Sequence, residues 1–146
     1  MASQEESRRH LSALDIAGWQ SMLDRHPHIF LGMLPGSRIG LLPEEDFETP
    51  GADTLIWEAG ENGVRAKYEP FPGFADVKVD LLFIASHAIL ASLHDGANPS
   101  PFADIKNGVR RKSILLYVVK PRDRLLDQGY EEFLDSLGLV FMGACR

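Results

Sequence analysis

The residues of this chain that could support acid–base chemistry lie close together, between positions 80 and 94. Asp80 has apolar neighbours, and desolvation by such neighbours would raise the pKa of its carboxyl group and suit it to act as a base. Ser86 lies where a strand is predicted to pass into a helix, and His87 and His94 follow it. The four residues predict a small acid–base enzyme only if at least two of them converge on one cavity near the carboxyl edge of the sheet.

Each of these residues also has a simpler structural interpretation, which we favour. Ser86 would cap the helix that follows it, since the residue two positions before it is not the small residue of a nucleophile elbow. On a strand, Asp80 would share a solvated face with Lys78. His87 and His94 would lie at the border of the apolar face of a helix. We therefore predict no catalytic residue, and the enzyme remains the alternative hypothesis.

The chain shows no pattern that predicts a metal or a cofactor. His26 and His28 are two residues apart and His87 and His94 are seven apart, so the His-x₃-His and Cys-x₂-Cys spacings of zinc sites do not occur. Neither of the common glycine-rich phosphate loops is present. The only cysteine, Cys145, cannot form an intramolecular disulfide. Its neighbour Arg146 could activate the thiol mildly, but we favour a small structural residue at the end of a strand. We expect no cofactor.

Charged residues are segregated along the chain, whose formal net charge is −6. Residues 44–61 contain seven acids and no base: Glu44, Glu45, Asp46, Glu48, Asp53, Glu58 and Glu61. Residues 106–124 contain seven bases and one acid, the bases being Lys106, Arg110, Arg111, Lys112, Lys120, Arg122 and Arg124. Opposed potentials of this kind can orient a partner, but the two segments would also be explained by solvation or by pairing with each other.

The basic cluster Arg110, Arg111 and Lys112 suggests a third hypothesis, the binding of phosphate or of a nucleic-acid backbone. Stacking aromatics are missing around it, because Tyr117 stands alone in an apolar run. The acidic net charge also opposes this hypothesis.

An aromatic and proline-rich segment spans residues 68–74. Its aromatics are Tyr68, Phe71 and Phe74, and two prolines stiffen the chain between them. A rigid loop loses little entropy on association, so the segment is the best interface candidate in the chain, although packing of the rings over the core is the simpler interpretation.

These features together predict a non-catalytic protein-binding or regulatory domain, of the kind of an inhibitor, an immunity protein or a chaperone-like protein. Its predicted binding residues are Glu44, Glu45, Asp46, Tyr68, Phe71, Phe74, Arg110, Arg111 and Lys112. The partner would be another protein or a second copy of the chain. We expect a soluble cytoplasmic protein, because the N-terminus lacks the order of a secretion signal and the longest apolar stretch is too short to span a bilayer.

The N-terminal half is predicted to contain a helix and two hairpins. A capping box formed by Ser3 and Glu6 precedes a helix over residues 4–25, which the residue before Pro27 should end. The predicted hairpins pair 28–34 with 38–42 and 54–58 with 64–69, with a surface loop at 43–53 between them.

The C-terminal half is predicted to form a strand and helix over residues 77–94 and then a strand–helix–strand unit. One long helix over 77–94 fits the apolar periodicity almost as well. The later elements are a strand buried on both faces at 114–119, a helix from Pro121 to Leu137 and a final strand at 139–144. The two strands would be parallel.

Length and composition fit a single domain of ordinary globular type. The chain has 146 residues, of which 45% are hydrophobic and 25% charged, so it can bury a sizeable core. We therefore predict one α+β domain over residues 1–146, with a C-terminal half of α/β type and one mixed sheet. No motif is specific enough to indicate a family.

Overall fold

The computed structural model describes residues 16–49 and 51–138, apart from the side chain of Arg122. Helices and a five-stranded mixed sheet give an α+β fold, which confirms the predicted class. In chain order the elements are α1 (Ile16–Asp24), a 3-10 turn (Pro27–Phe30), β1 (Arg38–Pro43), a second 3-10 turn (Glu44–Asp46), β2 (Asp53–Gly60), β3 (Gly63–Pro70), β4 (Leu81–Ala85), α2 (His87–Leu93), α3 (Pro101–Arg111), β5 (Leu115–Val118), α4 (Arg122–Asp127) and α5 (Glu131–Ser136).

The strands lie in the order β3-β2-β1-β4-β5. β1 and β4 are parallel, with Leu41 opposite Phe83, whereas every other neighbouring pair is antiparallel. The β2–β3 hairpin turns at residues 61 and 62, as predicted. Ile84 of β4 lies opposite Leu115 of β5, so β5 begins at the end of the sheet where β1 and β4 finish.

Side chains alternate between two faces of the sheet. One face, here the helix face, packs against the helices, and its core includes Trp19, Trp57, Phe83, Phe102 and Phe133. The other, here the loop face, carries a smaller core of Leu42, Ile56, Phe71, Val79, Leu82 and Ile84. Residues 70–79 and Phe47 cover the loop face, so a loop shields this side of the sheet from solvent, as the helices shield the opposite side.

The predicted hairpin between 28–34 and 38–42 is wrong in its first half. Residues 27–30 form a 3-10 turn, and Ile29 and Phe30 are buried on the helix face. β1 pairs instead with β2 and β4. The apolar residues at 28–34 therefore reflect the burial of a turn and not the presence of a strand.

Residues 77–94 form a strand followed by a helix, as we favoured over one long helix. The strand is shorter than expected, because β4 begins only at Leu81. The following helix α3 has no counterpart among the predicted elements. It begins at Pro101, which suits a first helical position, and it buries Phe102 and Ile105.

Two predictions for the C-terminal third are wrong. β5 is antiparallel to β4 and largely exposed, not buried on both faces. The predicted helix from Pro121 to Leu137 is interrupted at 128–130, where Gly129 has φ +83° and separates α4 from α5. The first part of the N-terminal helix, the capping box, the final strand at 139–144 and its parallel pairing, and Cys145 all lie outside the described residues.

None of the helices in the described part of the chain is both long enough and apolar enough to cross a membrane.

Candidate functional site

Asp80 lies immediately before β4 and is 4% exposed, so its predicted place on a solvated face is wrong. Its Oδ2 accepts hydrogen bonds from the Arg38 amide at 2.9 Å and from the Tyr130 hydroxyl at 2.6 Å. Burial, together with the hydrogen bond and the negative charge of Asp80, raises the pKa of Tyr130 well above its usual value. The carboxylate therefore joins β1, β4 and the start of α5 as a buried structural group.

Ser86 caps α2, as the simpler interpretation predicted. Its hydroxyl accepts a hydrogen bond from the Ile89 amide at 3.2 Å, which satisfies one of the free donors at the start of the helix. Asp80 and Ser86 stand at opposite ends of β4, about 20 Å apart along the strand.

The two histidines of the candidate enzyme site point to different neighbours. The His87 amide donates to Glu45 at 3.0 Å, and its Nε2 lies 3.9 Å from Glu45 and 3.8 Å from Asp46. The ring of His94 packs on Trp19 with centroids 4.8 Å apart, beside an open pocket of about 450 Å³ between α1 and the end of α2. In residues 16–49 and 51–138, Asp80, the Ser86–His87 pair and His94 thus occupy three separate places.

The described part of the chain has no group of three or more His, Cys, Asp and Glu residues that could hold a metal ion. His26 lies 5.4 Å from the ring of Phe102. Burial, and then the nearby charges of His28 and Arg25, lower the pKa of His26 and favour the neutral imidazole.

The three aromatics of segment 68–74 take different positions. Tyr68 belongs to β3 rather than to a loop, and it packs against the core of the helix face. Phe71 is buried in the core of the loop face. Phe74 is 39% exposed. The segment therefore both packs and presents a ring to solvent, and Phe74 is the ring it presents.

Phe74 lies at the centre of a cluster of four aromatic rings on the loop face. Its ring centroid lies 5.0 Å from that of Phe47, 5.5 Å from that of Phe71 and 5.2 Å from that of Tyr117. Tyr117 is 40% exposed, and Leu115, two residues before it on the same face of β5, is exposed as well. We call Phe74, Leu115 and Tyr117 the aromatic edge.

Sequence reasoning missed Leu115 and Tyr117 because the run 114–119 has the composition of a strand buried on both faces. β5 is an edge of the described sheet, so its apolar side chains have a neighbouring strand, β4, on one side. Phe47 was missed because it lies in the acidic segment. The one available signal for an exposed cluster was the closeness of Phe71 and Phe74 in the sequence. Two aromatic residues beside prolines are equally compatible with rings that pack into the core.

The acidic residues Glu44–Asp46 follow β1, and the basic residues 110–112 precede β5. Both segments lie at the same end of the sheet. Pro43, which precedes the acids, lies opposite Ala85, and Leu115, which follows the bases, lies opposite Ile84. Two strand spacings, about 10 Å, separate β1 from β5. The acidic and basic segments therefore border the same end of the sheet, although α3, which ends in the basic residues, packs on the helix face and the aromatic edge lies on the loop face.

Where the structure describes their side chains, the two charged segments form no ion pair with each other. Among the ion pairs within 4.0 Å in the described ranges, with the Arg122 side chain excepted, none joins residues 44–61 to residues 106–124. Glu58 instead pairs with Arg38 at 2.6 Å and Lys67 at 2.8 Å. The hydrogen bond from Lys67, with the charges of Lys67 and Arg38, lowers the pKa of Glu58. Glu58 is thus compensated within the chain, whereas Glu44 and Glu45 are exposed to solvent.

Comparison with known proteins gives no family for this chain, since no family model and no curated protein matches it. Two solved structures are similar over most of their length. One is the solution structure of a conserved hypothetical protein from Thermus thermophilus, with sterol carrier protein as its suggested identity (12% identity, TM-score 0.42, 85% of this chain and 87% of that one). The other is the crystal structure of sterol carrier protein 2 (11%, 0.44, 85% and 91%). Identities and TM-scores this low assign neither a family nor a ligand.

Proposed function

We propose that this chain is a non-catalytic protein-binding domain that docks its partner on the aromatic edge. The observation that carries the proposal is the position of Phe74, which is supported by three neighbouring rings and still 39% exposed. Aromatic side chains held in place by packing lose little entropy on association and are enriched among the residues that dominate binding energy.

The charges around the aromatic edge support a protein partner over a nucleic acid. Glu44 and Glu45 follow β1, and Arg110, Arg111 and Lys112 precede β5, at the same end of the sheet. A uniform polyanion would be repelled by the acidic side, whereas a protein surface can present both signs in the complementary order. A second copy of this chain offers both signs as well, so a homodimer is one form of the proposed complex.

An affinity capture with matched variants tests the proposal. The full chain is immobilised as wild type, Phe74→Ser and Tyr117→Ser, and soluble extract of the native cell is passed over each form. Leu31→Ser is the control, because Leu31 is 61% exposed and follows the 3-10 turn that packs on the helix face. We expect wild type and Leu31→Ser to retain a partner that the other two variants lose.

Direct binding of the recovered partner then measures the size of the effect. We expect Phe74→Ser to weaken the dissociation constant at least ten-fold, and analytical ultracentrifugation of the chain alone to reveal self-association if the partner is a second copy. Equal retention by all four forms would overturn the proposal. So would a monomeric chain that captures no protein and binds a fluorescent sterol instead.

The charged flanks are tested by the salt dependence of association. Replacing Glu44 and Glu45 with Gln and Asp46 with Asn should slow association and flatten its dependence on ionic strength, because rim charges act mainly on the association rate. Glu61→Gln, in the β2–β3 turn, is the matched neutralising control. Association rates that are the same in the triple variant and the control would remove the acidic flank from the interface.

A further inference from the structure

A separate pocket lies on the loop face, between strands β2 and β3 and the segment that crosses over them. Its volume is about 240 Å³. Its apolar wall is formed by Ile56, Pro70, Pro72, Val77 and Val79. None of its lining residues belongs to the aromatic edge, so this pocket is a different site from the proposed protein interface, and the segment over it also carries Phe74.

Thr54 is the buried polar residue of this pocket. The residue is 1% exposed, and its Oγ1 has no hydrogen-bond partner in the described part of the chain. Buried hydroxyl groups almost always have a partner, because leaving one unpaired costs free energy. An orphaned hydroxyl in a residue that lines a pocket therefore indicates a hydrogen-bonding ligand.

The charged residues that line the pocket are two bases, Arg38 and Lys78, and two acids, Glu69 and Asp76, so their formal charges cancel. Arg38 donates to Glu69, and its Nη1 pairs with Glu58 at 2.6 Å. Its Nε also donates to the Lys78 carbonyl at 2.7 Å, which ties the overlying segment to β1 and keeps the pocket formed. The guanidinium already has carboxylate partners, and the lining as a whole carries no net formal charge, so a charged ligand would gain little from it. The pocket favours a neutral ligand.

The volume limits the size of this ligand. Pockets for drug-sized molecules hold about 300–1,000 Å³, whereas a cavity of about 150 Å³ accommodates benzene. A pocket of about 240 Å³ therefore fits one aromatic ring with a small substituent. We infer that this pocket binds a neutral, single-ring ligand with one hydrogen-bonding substituent that pairs with the Thr54 hydroxyl.

Titration of the isotope-labelled full chain with two matched probes tests the inference. Phenol carries a hydroxyl group, whereas fluorobenzene has similar size and no hydrogen-bond donor. We expect phenol to shift the amide resonances of residues 54–56 and 77–79 in two-dimensional NMR spectra, with an affinity at least ten-fold higher than that of fluorobenzene.

Thr54→Val removes the hydroxyl with little change in shape. It should weaken the binding of phenol until its affinity equals that of fluorobenzene. Thr49→Val, at an exposed position, is the matched control and should leave the ten-fold preference unchanged. Val77→Phe fills the pocket from its partly buried wall and should abolish both shifts, which keeps the test decisive if Thr54→Val does not fold. No shift at millimolar phenol, equal affinities in the wild type, or unchanged preference in Thr54→Val would each overturn the inference.

Discussion

The hydroxyl of Tyr130 donates a 2.6 Å hydrogen bond to the carboxylate of Asp80, a residue fifty positions earlier in the chain. The same carboxylate oxygen accepts from the Arg38 amide, and the Asp80 backbone bonds to Arg38 on one side and to Val119 and Lys120 on the other. One buried residue therefore connects the elements: its side chain joins the starts of β1 and α5, and its backbone joins the start of β4 to β1 and to the end of β5.

Asp80→Ala should lower the free energy of unfolding by about 3 kcal/mol. The substitution leaves the buried Tyr130 hydroxyl and the Arg38 amide without their charged acceptor, and an unpaired buried donor costs about 1–3 kcal/mol. Urea unfolding at pH 7 measures the effect. Asp76→Ala, at an exposed position four residues earlier, should change stability by less than about 0.5 kcal/mol. Equal effects of the two variants would contradict a structural role for the Asp80 carboxylate.

Tyr130→Phe should change how stability depends on alkaline pH. The raised pKa of Tyr130 means that the folded protein keeps this phenol protonated, while the unfolded chain ionises it near pH 10. The stabilisation of the fold by the protonated Tyr130 hydroxyl is therefore complete below about pH 10 and is lost as the pH rises above that value. Urea unfolding between pH 8 and pH 11 should show wild type losing stability more steeply than Tyr130→Phe above pH 10. Tyr68 and Tyr117 are present in both proteins, so any difference between the two curves comes from Tyr130. Parallel curves over the whole range would contradict a raised pKa of Tyr130.

Gly129→Ala should prevent stable folding or cost more than about 3 kcal/mol. A Cβ at this position would lie 1.8 Å from the Gly32 carbonyl oxygen, where two backbone segments pass each other, and φ is +83°. Gly51→Ala is a matched control, because Gly51 has φ +85° and open space around it. The control should show only backbone strain of about 1–2 kcal/mol. Similar thermal unfolding temperatures for both variants would mean that the close approach of Gly32 and Gly129 does not limit stability.

Glu69→Gln should reduce stability at neutral pH and lose this effect in acid. The hydrogen bond from Arg38 is the main cause that lowers the pKa of Glu69, with Lys67 adding to it. A carboxylate with a lowered pKa stabilises the fold above its unfolded value, near 4.5, and this stabilisation disappears as the pH falls below it. The pair is partly exposed, so the expected difference at pH 7 is at most about 1 kcal/mol. Unfolding at pH 7 and pH 3 measures it, and a difference that persists at pH 3 would contradict the assignment.

Local patterns were sufficient for the elements whose signals lie within a few residues of each other. The β2–β3 hairpin follows from two runs separated by glycines, and the cap at Ser86 follows from a hydroxyl placed before an apolar helical run. The α+β class follows from the mixture of strand and helix periodicities. These predictions hold because turn geometry and capping depend on neighbouring residues.

Candidate binding residues were only partly predictable. Phe74 was identified from its place in a stiff aromatic segment, while Leu115 and Tyr117 were placed in a buried strand. An apolar strand has the same composition in the middle of a sheet and at its edge. Whether its side chains face a neighbour or solvent depends on strand order, which the residues of the strand do not encode.

What the sequence alone determined is the fold class, the β2–β3 hairpin and the separation of charge along the chain, while it favoured the strand-then-helix order of 77–94 only narrowly over one long helix. The tertiary structure decided that Asp80 is buried, that the helix after Pro121 breaks at Gly129, and that the acidic and basic segments border the same end of the sheet. Each of those outcomes depends on contacts between residues far apart in sequence, such as Asp80 with Tyr130 and Gly32 with Gly129. Periodicity and propensity describe only neighbours along the chain, so no local pattern contains these contacts.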